Sequence, residues 1–230
     1  MPPRLVLTDI EGTTTSIAFV QETLFPFAAE AMEGFLAAHG SEPEVARLLE
    51  EVAALAPGRP PLAALQAWMA EDAKVTPLKT LQGMIWRAGY AEGRLKGHLW
   101  PDVAPCLAAW HAAGIGLAVF SSGSEEAQRL LFGHSIAGDL RPLFRAFFDT
   151  RMGPKREAAS YARIAAALAE PPEGILFLSD VAAELDAARQ AGMATCQLVR
   201  PQDGTRPAGT HPVAEDFPAV ARAFGLPLPG

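Results

Sequence analysis

The sequence predicts an α/β protein, a doubly wound parallel sheet interrupted by an inserted helical cap. Three observations predict it. Short apolar runs without period-two alternation recur at Arg4–Ile10, Ile115–Ser121, Ile175–Asp180 and Thr195–Arg200, with a weaker one at Arg145–Asp149. Runs of this kind belong to strands covered on both faces. Helical stretches separate them, and strand–helix–strand order with right-handed crossovers winds into a parallel sheet. The stretch from Ser16 to Leu99 breaks that rhythm, offering helical patterns and no strand.

The first strand, Arg4–Ile10, runs straight into acidic residues. Helices are then expected at Thr23–His39, Glu42–Leu55, Leu62–Lys74 and Leu78–Tyr90, broken at Pro57–Pro61 and at Thr76-Pro77. This places a cap at residues 16–99 and an α/β core at 1–15 and 100–230. In the core, Pro101–Ala113 is expected to stop at Gly114, Glu125–Phe132 at Gly133 and Ala182–Ala191 at Gly192, with glycine supplying the helix stop each time. Glu157–Leu168 stops before Pro171-Pro172, and the tail from Pro201 reads as loop plus a short helix over Val213–Phe224.

Composition narrows the function classes. With 50% hydrophobic residues among 230, the chain has ample apolar surface to offset the entropy of ordering. A net charge of -7 argues against a nucleic-acid partner, which calls for a basic stripe. No apolar run approaches the roughly 18 residues of a membrane span, and the short apolar run that meets acidic residues at once leads to the expectation of no signal peptide. Cys106 and Cys196 stand far apart in apolar surroundings and read as buried free thiols, which fits a reducing cytoplasm. The expectation is a cytoplasmic monomer without nucleic-acid or membrane partners. The five histidines show no ligand spacing, and the four tryptophans are most simply packing residues.

Ligands of doubly wound sheets collect at the carboxyl ends of the strands, and those ends carry the chemistry here. Asp9 and Glu11 follow Leu5-Val6-Leu7, with Gly12 permitting an abrupt turn. Two acids so close are tolerable when a cation compensates them or one holds a proton. Ser121-Ser122-Gly123-Ser124 stands between a strand and a helix, where hydroxyls and amide groups cradle phosphate oxygens. Asp180 closes Leu176-Phe177-Leu178-Ser179 and is followed at helical spacing by Glu184. Lys155 follows Gly153-Pro154 at the start of a helix, a costly place for a cation unless an anion lies nearby. Each signal alone reads equally as a cap or a solvated turn. Together they supply a nucleophile (Asp9), a proton carrier (Glu11), anion donors (Ser121, Ser122), a cation (Lys155) and a metal ligand (Asp180). That set suits phosphoryl transfer to a carboxylate, with Mg2+ bridging Asp9, Asp180 and a phosphate oxygen.

The order Asp9-x-Glu11-Gly12-Thr13, Ser121, Lys155, Ser179-Asp180 resembles the four motifs of the haloacid dehalogenase-like hydrolases and spans nearly the whole chain. More narrowly, Thr8-Asp9-Ile10-Glu11-Gly12-Thr13-Thr14, Phe120-Ser121-Ser122-Gly123-Ser124 and Phe177-Leu178-Ser179-Asp180-Val181 are similar to the enolase-phosphatases of methionine salvage. Most phosphatases of the wider group have Asp two places after the nucleophile, so Glu11 departs from the broad pattern and fits the narrow one. The resemblance implies a Mg2+-dependent enzyme acting on a small phosphorylated diketone, 2,3-diketo-5-methylthiopentyl-1-phosphate, which is enolised and then dephosphorylated to acireductone. It further implies Asp9 and Glu11 as catalytic residues, Ser121, Ser122 and Lys155 as substrate contacts, and Asp9, Asp180 and the Glu11 backbone carbonyl as metal ligands. The longer Glu11 side chain would suit proton work on a diketone as well as on a leaving oxygen. Competing readings are a phosphatase of the same group acting on another small phosphate ester, a carbon–halogen hydrolase, and a non-catalytic phospho-acceptor.

Overall fold

The computed structural model describes residues 2–71 and 73–230. The chain divides into two compact units, Met1–Ile17 with Lys96–Gly230, and Ala18–Leu95.

The larger unit is built on a six-stranded sheet in the order β3-β2-β1-β4-β5-β6, parallel throughout. The strands are β1 (Leu5–Thr8), β2 (Gly116–Phe120), β3 (Ala146–Phe148), β4 (Ile175–Ser179), β5 (Ala194–Leu198) and β6 (Val213–Ala214). All residues of β1, β2 and β4 are buried, which is why their sequences are apolar without alternation. Leu5, Leu7, Phe120, Phe177 and the fully buried Tyr161 lie in one apolar cluster, where the Tyr161 ring sits 5.5 Å from Phe120 and 5.1 Å from Phe177.

From β1 the chain adds β2 and β3 outward on one side, then returns to add β4, β5 and β6 on the other. The order reverses beside β1, so the carboxyl ends of β1 and β4 flank the crevice where such sheets bind ligands. Thr8 pairs with Leu178 and with Val119, which brings Asp9, Ser179 and Phe120 to one level of the sheet edge.

The second unit is helical. A single α turn, α1 (Ile17–Phe19), begins at the boundary and runs into a π-helical segment, Val20–Leu24. Then follow α2 (Phe25–His39), α3 (Pro43–Leu55), α4 (Pro61–Ala70) and α5 (Thr76–Ala91). Met32, Val45, Leu48, Val52, Leu65, Leu81 and Ile85 form its own apolar core. Trp86 Nε1 donates to the Leu24 carbonyl (2.8 Å), inside the π segment, where the helical ladder is widened.

The helices of the larger unit are α6 (Val103–Ala112), α7 (Glu125–Gly133), α8 (Ala158–Ala167), α9 (Ala182–Gln190) and α10 (Phe217–Phe224). Several expectations need correction. The helices stop and restart near the expected breaks, but Pro61 and Thr76-Pro77 belong to the first turns of α4 and α5, since proline fits the first turn, where no donor is needed. Helix α4 ends at Ala70, and the expected extension to Lys74 crosses residue 72, outside the described residues. Gly114 and Gly192 adopt φ of +82° and +93° as helix stops, but Gly133 is the last helical residue, with no left-handed turn. It is small for another reason, because a Cβ there would stand 2.7 Å from Arg141 Nε. Val213–Ala214 is an edge strand instead of the start of the last helix, which begins at Phe217 with Asp216 capping Ala219 N. Lys155 lies in a turn ahead of α8, not in its first residues.

Candidate active site

The carboxyl end of β1 sets the frame. Asp9 is 4% exposed, its backbone N donates to Leu178 O (2.9 Å), and its Oδ1 accepts from Ile10 N (2.7 Å). Two further groups converge on it. Lys155 Nζ stands 2.8 Å from Oδ1, and the Ser179 hydroxyl lies 3.2 Å from Oδ2.

Lys155 is itself shared. Its Nζ is 2.6 Å from Glu184 Oε2, and its backbone carbonyl accepts from the buried Tyr161 hydroxyl (2.7 Å). The preceding turn depends on Gly153 at φ +114°, where a Cβ would collide with Arg163 and with Ser160 Oγ. Burial works against the ammonium, but Asp9 and Glu184 outweigh it and hold the lysine above its ordinary range. Ser179 Oγ also lies 3.1 Å from Glu184 Oε2 and accepts from Val181 N (3.1 Å), so its one proton serves either carboxylate.

Asp180, half-buried one residue past β4, packs on Gly12. Gly12 has φ +68°, and a Cβ there would stand 2.6 Å from the Asp180 carboxyl carbon. Substituting Gly12→Ala is expected to cost at least about 1 kcal/mol for the left-handed backbone and to push Asp180 aside. Thermal melts and a Mg2+ titration, which should show weaker metal binding, check both parts.

Glu11 is exposed on the loop after β1, whose turns are closed by Thr13, Thr14 and Thr15 N all donating to Ile10 O. Ser121 is buried at the end of β2, with its N donating to Phe148 O and its Oγ accepting from Gly123 N (3.2 Å), while Ser122 beside it is exposed. The structure thus joins Asp9, Lys155 and Asp180 in one cluster, sets Ser121 on the neighbouring strand end, and places Glu11 and Ser122 on solvent-facing loop positions.

Three residues escaped the sequence reading of the site. Glu184, on α9, was visible only as an acid at helical spacing from Asp180, and it proves to be the second carboxylate on Lys155. Gln128, buried on α7, donates Nε2 to Gly123 O and Phe148 O (2.8 Å each), tying down the serine loop. Asp149 accepts from Glu125 N (3.2 Å) at the start of α7. The last two had no local signal, since Gln128 reaches Phe148 O across 20 residues and Asp149 holds Glu125 N across 24.

The charge balance of the cluster is uneven. Asp9, Asp180 and Glu184 face one ammonium. Burial first, and then Asp9, push Asp180 and Glu184 up to about 7. Both acids hold protons more tightly folded than unfolded. The folded state therefore binds more protons between their ordinary values, 3.8 and 4.5, and about 7. Stability of the metal-free protein is accordingly expected to fall as pH rises through that window, and Mg2+ should restore most of it above about pH 7; melting curves at pH 5, 6, 7 and 8, with and without Mg2+, check the sign. Among the described residues no group of three His, Cys, Asp or Glu side chains makes a closed metal cage. The donors available are carboxylate and carbonyl oxygens with negative charge in excess, which fits Mg2+, a hard ion that keeps part of its water.

The haloacid dehalogenase-like hydrolase family profile matches residues 3–192. Enolase-phosphatase E1 of Acidiphilium cryptum is 58% identical over 227 residues, covering 99% of this chain and 98% of its own. Enolase-phosphatase E1 of Granulibacter bethesdensis is 58% identical over 229 residues, covering 99% of both. Among solved structures, the Unknown transcript 4 protein of Saccharomyces cerevisiae superposes with a TM-score of 0.80 at 31% identity, covering 94% of this chain and 98% of that one.

Proposed function

Because this chain belongs to the haloacid dehalogenase-like hydrolases, we propose that the cluster around Asp9 is a phosphatase active centre in which Asp9 accepts the phosphoryl group. The observation that carries the reading is the convergence of Lys155 and Ser179 on the two oxygens of a buried carboxylate at the sheet's switch point. The near-full-length likeness to proteins named enolase-phosphatase E1 supplies the substrate. The enzyme enolises 2,3-diketo-5-methylthiopentyl-1-phosphate and removes its phosphate to give acireductone, in methionine salvage.

Asp9 attacks phosphorus in line with the leaving oxygen. Glu11 protonates that oxygen as its bond to phosphorus breaks, which leaves an aspartyl phosphate and the released enol. Glu11, now ionised, takes a proton from the water that hydrolyses the aspartyl phosphate, returning Asp9 and inorganic phosphate. Lys155 holds Asp9 in place and faces the phosphate oxygens, and the Ser121 and Ser122 hydroxyls take the others. Glu184 anchors Lys155 from behind. Mg2+ would be held by the Asp9 and Asp180 carboxylates and the Glu11 backbone carbonyl, and when bound it offsets the repulsion between an anionic ester and an anionic nucleophile.

The enzyme is expected to act as a cytoplasmic monomer on a small phosphorylated diketone, with no nucleic-acid or membrane partner. Among the described residues no helix is long and apolar enough to cross a membrane. The test is phosphate release from the diketone phosphate with and without Mg2+, with enol absorbance followed in parallel and phosphoglycolate and sugar phosphates as comparators. Mg2+-dependent release accompanied by the enol signal is expected. Faster turnover of a comparator would move the substrate assignment, and turnover indifferent to Mg2+ would overturn the mechanism.

A further inference from the structure

We propose that Arg200, paired with Asp102, is a positioning residue that holds the loop carrying Glu11 in its working conformation, an inference that rests on the reading of Glu11 as acid and base. Arg200 follows β5, is 3% exposed, and spends every N–H it has. Nη1 and Nη2 donate to the two oxygens of Asp102 (2.9 Å each), Nη1 also to Glu215 O (3.1 Å), and Nη2 (3.0 Å) and Nε (3.3 Å) to Thr13 O. The guanidinium carbon lies 5.4 Å from the Trp100 ring centre and 5.8 Å from that of Phe217. Asp102 is fixed in turn by Phe217 N (2.9 Å).

What this fork grips is the loop after the nucleophile. Ile10 O takes three amide donors, Gly12 bends the chain at φ +68°, and Trp100 N donates to Thr14 O (3.0 Å). Thr13 O, two residues past Glu11, is then held by a planar, fully directed donor that a lysine cannot imitate. A buried ion pair adds little stability beyond what apolar residues of the same volume would give. The value of this one therefore lies in geometry, in the placement of the Glu11 carboxylate.

Leaving groups separate a positioning role from a purely structural one. p-Nitrophenolate departs without a proton, whereas an alkyl or enol oxygen needs one, and kcat/KM covers the steps through transfer to Asp9, which for the diketone phosphate include its enolisation. Single removal of Arg200 would strand Asp102, so the variants are the neutral pair Arg200→Met with Asp102→Asn, and Arg200→Lys, which keeps the charge and loses the fork. With folding checked by circular dichroism and melting, both are expected to lose roughly 10- to 100-fold in kcat/KM on the diketone phosphate and less than about threefold on p-nitrophenyl phosphate. Glu11→Gln should show the same selectivity. If Glu11→Gln is selective and the folded Arg200 variants lose both substrates equally, or neither, the Arg200 inference alone is wrong. If Glu11→Gln is not selective, the reading of Glu11 fails and the inference falls with it.

Discussion

Asp9→Asn is expected to lower phosphate release by at least about 10^4-fold, because the amide oxygen is a poor nucleophile and no other carboxylate can take the same line of attack. The substitution is nearly isosteric and should not disturb the fold. It removes one of three carboxylates facing Lys155, so Asp180 and Glu184, both raised in part by Asp9, should titrate at lower pH. The metal-free variant should then melt no lower than the wild type at pH 8. Loss of turnover without loss of stability separates a chemical role from a structural one. Rapid quenching of wild type with substrate should trap phosphate on Asp9, and turnover by Asp9→Asn within tenfold of wild type would remove it from the mechanism.

Lys155→Met should show the opposite combination, with activity and stability falling together. The ammonium is 2.8 Å from Asp9 and 2.6 Å from Glu184 with only 9% of its side chain exposed, so it is the counterion of both. Removing a cation that faces developing phosphoryl charge costs about 10^2- to 10^3-fold in kcat. Leaving buried carboxylates unpaired costs about 3 kcal/mol when they are ionised. The sign with pH follows from the acids. Lys155 lowers the values of Glu184 and Asp180, so without it those two rise further, protonation relieves the variant below about pH 6, and the deficit against wild type grows toward pH 8. Paired thermal melts at pH 5.5 and 8 in metal-free buffer check this, and a deficit that is larger at the lower pH would contradict the charge account.

The parts of this protein legible in its sequence are those whose cause is local. β1, β2 and β4 announced themselves because burial on both faces demands unbroken apolar runs. Asp9, Ser121 and Asp180 could be located because a parallel sheet sends strand ends to one edge. β6 is two residues long, too short for any period, and exists because β5 offers it an edge. Pro61 and Pro77 carried the correct local meaning, chain punctuation, but each belongs to the first turn of the helix that follows the break and not to the break itself. Lys155 was suspected for a helix-terminus cost that it does not bear, although the anions inferred from it are there. Glu184, Gln128 and Arg200 owe their roles to partners far away in the chain, and nothing in their immediate neighbours signals such a pairing.

The interior position of β1 also bears on how the protein is made. Leu5 leaves the ribosome before any other part of the sheet, yet its pairing partners, Gly116 and Ile175, are made only in the middle and last third of the chain. The helical unit between them closes on contacts within residues 18–95 and can assemble first, as chains rich in local contacts do. The strand that leads to Asp9 is therefore the earliest synthesised and among the latest to be hemmed in on both sides. A nascent or truncated chain ending before Ile175 lacks Ser179, Asp180, Glu184 and Arg200 together, so the surroundings of Asp9 are completed only near the end of synthesis.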